Sequence, residues 1–351
     1  MCHKLLLLLL FVIVIIIVIS VSSVELGKTY EGRSIDVLVV REQGPHTKPV
    51  IWLDCGIHAR EWVSPPACLH AVDRLLDSVN SVQPEENLLA LYDFYILPVA
   101  NPDGYIYSWS SDRMWRKNRK PNAQPRQWGG LGGWPSGGWG GAGGFGGSQS
   151  NSNPKCQYGV DPNRNFPTEF HQGSSDPCAD SYHGSSPFSE AESKAVRDGV
   201  ARINREYGAN KIAAFVSIHA YSQMWMSPFG FTFNHPKDYS DHMRVMKKSV
   251  GALKAVAGTK FTYGPISDII YIAYGSSIDW AYESGIKYAF GLELRDTGRH
   301  AFMLPQVGVL TFSHWISMEL FQNQIKATVT ETWAGLTAMA LEIAPEFGIY
   351  I

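Results

Sequence analysis

The chain has 351 residues, 45% of them hydrophobic, and a formal charge of −2 at pH 7. That length is enough to bury a substantial core, in one large domain or two ordinary ones. The near-neutral balance excludes the strongly basic surface that nucleic acid or an acidic lipid layer would call for, so no nucleic-acid partner is expected.

The N-terminus bears on the compartment. "MCHKLLLLLLFVIVIIIVISVSS" carries one lysine, an unbroken apolar run from Leu5 to Ile19, and then small residues. This is the layout of a secretory signal over residues 1–23, with Val21 and Ser23 at the −3 and −1 sites of cleavage. A membrane anchor is the alternative, because the run is long for a signal and short for a span. Both readings send a folded domain at 24–345 into an oxidising compartment. The cleaved form is a secreted, extracellular protein with no stable membrane association.

Five cysteines fit that compartment. Cys2 leaves with the signal, and Cys55, Cys68, Cys156 and Cys178 allow three pairings. Local closure favours Cys55–Cys68 and Cys156–Cys178, the two shortest loops.

Along the chain, short apolar runs alternate with helical spacing. "SIDVLVV", "VIWLDCG", "FYILPVA", "IAAFVSIHA" and "YAFGLEL" read as strands, several apolar throughout and so buried on both faces. Helical spacing covers Ser64 to Val79, Ser189 to Asn204, Lys237 to Val256, Ser277 to Ser284 and Ile325 to Leu341. Ser64 is the expected N-cap of the first, with Pro65 at its first helical position. "NPDGY" reads as a tight bend. The alternation predicts an α/β fold whose mostly buried sheet is covered on both faces. Gln127 to Pro154 (127–154) stands apart as a Gly- and Trp-rich surface insertion with little to pack.

In open α/β sheets, functional side chains gather at the carboxyl ends of strands. "WLDCGIHAREW" brings His58, Arg60 and Glu61 there, "SIHAY" brings His219 and Tyr221, and "GLELRDTGR" brings Glu293. Two histidines and a glutamate with a fourth position open make a catalytic zinc set, whereas a structural site is more often closed by cysteines. Glu293 is then available as a proton acceptor. Arginines in "RMWRKNR" and "DPNRNF" suit bidentate capture of a carboxylate. Together these describe hydrolysis of a peptide bond next to a free C-terminus.

"GIHAREW", "NPDGY", "WRKNR", "GVDPNRNF", "SIHAYSQ", "IIYIAYGSSIDW", "ELRDTGR" and "ETWAG" occur in that order. The series resembles the ordered signatures of zinc metallocarboxypeptidases of the carboxypeptidase A/B type, from about Leu26 to Leu341. The resemblance implies one Zn2+ per chain on His58, Glu61 and His219, Glu293 as general base, and Arg116 as the group that polarises the scissile carbonyl. It implies Asn163, Arg164 and Tyr271 as holders of the substrate's terminal carboxylate, and Arg60, Tyr221 and Phe302 as outer subsites. The two short cysteine pairs match disulfides of that family, and the fold the resemblance implies is a single three-layer αβα domain around a central mixed, mostly buried sheet. Peptide and protein C-termini are the implied partners of a monomeric enzyme.

Subtype turns on the position two before the Trp of "SSIDW". Ile278 stands where basic-specific members carry aspartate, and an isoleucine would leave a substrate Lys or Arg desolvated and unpaired. Met226, Gly230, Ile266, Ala273, Ile278 and Gly291 form the expected pocket wall, with Gly291 expected to add room. Aromatic and bulky aliphatic C-terminal residues are therefore the expected substrates.

The chain departs from the family pattern twice. The apolar run stops almost directly at "ELGKTYEGRSI", so a truncated N-terminal edge is expected, with "SVSSVELG" as the remnant of a strand. Val307 to Gln322 (307–322) intervenes between "MLPQ" and "NQIKATVTETWAG", as a loop extension or a short retained intron translated in frame. Two rival functions are a catalytically impaired homologue that only binds C-termini, and a zinc acylase of related fold.

Overall fold

The computed structural model describes residues 19–81, 87–122, 154–304 and 324–350. The expected signal up to residue 18, the glycine-rich insertion up to residue 153 and the whole of 307–322 lie outside those residues.

In chain order the elements are β1 (Ile19–Lys28), β2 (Ser34–Glu42), β3 (Val50–Cys55), α1 (Ser64–Asp77), α2 (Leu88–Leu91), β4 (Asp93–Leu97), α3 (Pro102–Ser110) and α4 (Pro154–Gln157). They continue with α5 (Ala191–Tyr207), β5 (Ile212–Ala220), β6 (Met224–Ser227), α6 (Tyr239–Ala257), β7 (Thr262–Pro265) and α7 (Ile266–Ile269). Then come α8 (Ser277–Glu283), β8 (Tyr288–Leu294) and α9 (Gln324–Ile343). The strands form one 8-stranded sheet in the order β1-β2-β4-β3-β5-β8-β6-β7. Strands β4, β3, β5 and β8 run parallel, and antiparallel pairs at β1–β2, β2–β4 and β6–β8 make the sheet mixed.

The apolar runs become central strands because helices cover both faces. Ile51, Leu53, Val216, Ile218, Phe290 and Leu292 pack with Leu75 of α1, Val245 of α6 and Met339 of α9. Alternate residues Val50, Trp52, Phe215 and Ala289 pack on the other face with Val196 and Ile203 of α5 and Ala281 of α8. Every residue of β3, β4 and β5 is buried, which is why these runs read as continuous rather than alternating.

Two local readings are corrected. Ser64 lies inside α1, and its hydroxyl makes no cap; it accepts the Gly56 N–H at 3.0 Å and donates to the Ile218 carbonyl, joining the ends of β3 and β5. "NPDGY" opens helix α3 rather than a bend, with Asn101 Oδ1 accepting the Gly104 N–H at 2.9 Å and Pro102 in the first turn. Strands β6 and β7 have four residues each, too few to show a period in the sequence. At the other edge β1 pairs with β2 from Ile19 onward, so the strand runs through the expected cleavage point at Ser23.

Both short cysteine pairs are disulfides. Cys55–Cys68 ties the end of β3 to α1 and closes the segment that holds His58 and Glu61.

Candidate active site

Because β3, β5 and β8 are parallel neighbours, their carboxyl ends open on one edge of the sheet. After β3 the chain turns at Gly56, whose φ of +64 suits glycine and where a Cβ would press on Pro65 and Val99. That turn delivers His58 and Glu61 beside the last residues of β5. In the same edge His219 pairs in register with Glu293.

His58, Glu61 and His219 are buried and offer ligand atoms that all lie within 4.8 Å of one another. Glu61 Oε1 lies 2.8 Å from His58 Nδ1, Glu61 Oε2 lies 3.1 Å from His219 Nδ1, and the two Nδ1 atoms are 3.1 Å apart. Two imidazole nitrogens and a carboxylate converging out of water form a donor set that zinc accepts with an open fourth position.

Each histidine is anchored through its other nitrogen. His58 Nε2 sits 3.1 Å from Asp161 Oδ1, and His219 Nε2 sits 3.0 Å from Ser217 Oγ. Asp161 also takes Arg116, with Nη2 at 2.9 Å and Nε at 3.0 Å. Burial opposes the charge on Asp161, yet Arg116 and His58 hold its carboxyl well below the usual carboxylate range. Burial likewise opposes the Glu61 charge, and the two histidines outweigh it and lower the pKa. Asp161 escaped the sequence reading although "GVDPNRNF" contains it. A carboxylate between Val160 and Pro162 shows its partner only once the chain is folded.

Glu293 is the contrasting acid. Its Oε2 is shut off from solvent with no hydrogen-bond partner. Burial and the neighbouring Glu61 charge push its carboxyl up to about 8. A cation held by Glu61 would offset that repulsion and draw the value down.

One pocket joins these groups to the expected substrate contacts: His58, His219, Glu293, Arg116, Asn163, Arg164 and Tyr271 line it. Arg164 Nη2 donates to the Tyr271 hydroxyl at 3.1 Å, and Tyr271 is 53% exposed at the mouth. Met226, Ile266, Ala273 and Ile278 form an apolar wall. The expectation for Gly291 is corrected: a Cβ there would lie 2.4 Å from Ile278 Cδ1, so the missing side chain makes room for Ile278 rather than for a ligand. Asp279 does not line the pocket; its carboxylate accepts the Gly230 N–H.

Arg60, Tyr221 and Phe302 come together beside this pocket. The Arg60 guanidinium lies 4.5 Å from the Phe302 ring centroid, Phe302 meets Tyr221 edge-on at 4.9 Å, and Arg60 Nη1 pairs with Asp180 at 3.1 Å.

A sequence model described as zinc carboxypeptidase matches residues 19–335. This chain belongs to the zinc carboxypeptidase family. Carboxypeptidase A2 of Mus musculus is 39% identical over 318 residues, covering 90% of this chain and 63% of that protein. The chain therefore spans less than two thirds of that relative. Carboxypeptidase B of Astacus astacus is 37% identical over 324 residues, covering 91% of this chain and 89% of the relative. Bovine thrombin-activatable fibrinolysis inhibitor, solved in complex with tick carboxypeptidase inhibitor, superposes with a TM-score of 0.72 at 32% identity, over 93% of this chain and 91% of that one. Zinc carboxypeptidases named A and B stand at similar distance, so subtype has to be argued from the pocket.

Proposed function

We propose that the chain is a zinc-dependent exopeptidase that hydrolyses the C-terminal peptide bond and prefers aromatic or bulky aliphatic C-terminal residues. One observation carries the reading: the pocket lined by His58, His219 and Arg164 is walled by Ile278, Ile266, Ala273 and Met226, with no carboxylate on that wall. Zinc held by His58, Glu61 and His219 would supply Lewis-acid polarisation of the substrate carbonyl and lower the pKa of water in the site. Arg164 and Tyr271 receive the terminal carboxylate, Arg164 through its planar fork. Glu293 takes a proton from water at its unpartnered Oε2 and returns it to the leaving amine. Arg116, held by Asp161, presents positive charge beside Glu61, its Nη1 lying 3.7 Å from Oε1, where it meets the oxyanion as that charge develops.

The test is a panel of peptides that differ only in the last residue. Phe, Tyr and Leu ends should be removed far faster than Arg or Lys ends, because a cation at Ile278 would lose water and find no partner. Ile278→Asp should shift activity toward basic ends and away from Phe. A wild-type preference for Arg or Lys would overturn the subtype, and no cleavage of any peptide by zinc-loaded protein would overturn the activity.

Secretion belongs to the same proposal, supported by the apolar run Leu5 to Ile19 and two disulfides. N-terminal sequencing of protein from the culture medium tests it. A start at Val24 supports cleavage after Ser23, and retention of Met1 in cell membranes contradicts it.

A further inference from the structure

The geometry points to a positioning device behind His219, in which Ser217, Asp54 and the Trp52 indole orient the ring and hold its Nδ1 toward the metal cluster. This inference rests on the zinc reading of His58, Glu61 and His219, and goes beyond it by naming residues that touch neither metal nor substrate.

Strand register builds the device. Trp52 and Asp54 share one face of β3, Ser217 and His219 share that face of β5, and Asp54 pairs directly with Ser217. All four are buried. The Trp52 indole N–H donates to Asp54 Oδ2 at 2.9 Å, and the Ser217 hydroxyl donates to Asp54 Oδ1 at 2.6 Å. Ser217 has one hydrogen, and with that hydrogen on Asp54 its oxygen faces His219 Nε2 at 3.0 Å as an acceptor. The ring proton therefore sits on Nε2, and Nδ1 keeps a lone pair aimed at Glu61 and His58. The Asn163 amide nitrogen is a donor lying farther from Nε2, at 3.3 Å, and its Oδ1 is committed to the Ser277 N–H at 2.8 Å, so Ser217 Oγ at 3.0 Å is the nearer partner and the one that can accept the ring proton.

Ser217 and Asp54 thus do for His219 what Asp161 does for His58. They do it with a charge one bond further from the ring. Partners of this kind fix the tautomer and orientation of a metal-binding histidine, and their loss typically weakens metal affinity 10- to 100-fold.

Zinc affinity of the full chain, measured by competition with a chromophoric chelator, tests the inference alongside thermal unfolding of the metal-free protein. Ser217→Ala should bind zinc about 10- to 100-fold more weakly, and Ser217→Thr, which keeps the hydroxyl, should stay near wild type. Lower metal-free stability with unchanged zinc affinity would reduce Ser217 to a packing role and overturn the inference. Should Ser217→Ala fail to fold, Trp52→Phe keeps an apolar ring but removes the N–H together with part of the buried indole, so its zinc release is read beside its metal-free stability. Zinc release from it should be several-fold faster, and release at the wild-type rate would overturn the device. Wild-type protein that takes up no zinc would sink the zinc reading and the device with it. Normal wild-type affinity with an unaltered Ser217→Ala would sink the device alone.

Discussion

Glu293 and Glu61 are carboxylates in one pocket with opposite perturbations, and the cause is local. Glu61 has a histidine nitrogen close to each oxygen, while Glu293 Oε2 has no partner. In the proposed mechanism Glu61 stays ionised on a metal while Glu293 accepts and releases a proton, and those roles need these two environments. Glu293→Gln should therefore keep zinc content and peptide binding while kcat falls roughly 10²- to 10⁴-fold, read from metal analysis and steady-state rates. Near-normal turnover would remove the general-base role. Arg164 carries a different expectation. Arg164→Ala should weaken Phe-ended and Arg-ended peptides alike, seen as a parallel loss in kcat/KM, because in the proposed binding mode it receives the carboxylate that both share.

At the scale of elements, the contact between α5 and β3 supports the site from behind. A Cβ on Gly199 would lie 2.5 Å from Trp52 Cη2, so the helix seats directly on the indole. Gly199→Ala gains about 1 kcal/mol of helix propensity but overpacks a buried ring at a cost of about 1–3 kcal/mol. Urea denaturation should show a net loss of stability, and a more stable variant would mean that the indole yields freely. The first turn of α5 makes the fold pH-sensitive. Burial pushes the Glu192 carboxyl up to about 7 from an ordinary 4.5. A folded pKa above the unfolded one means that this contribution is fully present below about pH 4.5 and is lost as pH rises through 7. Glu192→Gln, which cannot ionise, should flatten the fall in urea midpoint between pH 5 and 7.5. An equally steep fall in the variant would assign the slope to other groups.

For the whole molecule, the candidate metal site and one disulfide meet on one segment. The stretch from Cys55 to Cys68 is closed by a disulfide over a separation of 13 residues and contributes two of the three metal ligands. Replacing both cysteines by alanine should cost roughly 2–4 kcal/mol and weaken zinc binding, because the ligands would then sit on a longer free loop. Calorimetry and chelator competition on one preparation separate the two effects. Zinc at 100-fold excess over its Kd should stabilise the folded chain by about 2.7 kcal/mol, seen as a rise in Tm over the chelated protein. An unchanged Tm would show that the buried cluster does not take the ion.

Local chemistry in the sequence was enough for the candidate ligand set, the alternating elements and both cysteine pairs, and it put forward Glu293 as the proposed general base. His58, Glu61, His219 and Glu293 follow or end apolar runs, and a strand end is a local property that residue order preserves. The helices α5, α6, α8 and α9 begin and end within about three residues of their expected limits, since an apolar face repeats along the chain itself. Contacts between distant residues were not legible. Asp161 is 103 positions from the histidine it anchors, and Asp54 is 163 from Ser217. Gly291 reads as empty space until α8 lays Ile278 across it. Types of chemistry are carried by single side chains and their immediate neighbours. Which lone pair faces which proton, and how deep a pocket is, depend on register and packing, and only the tertiary structure decides those.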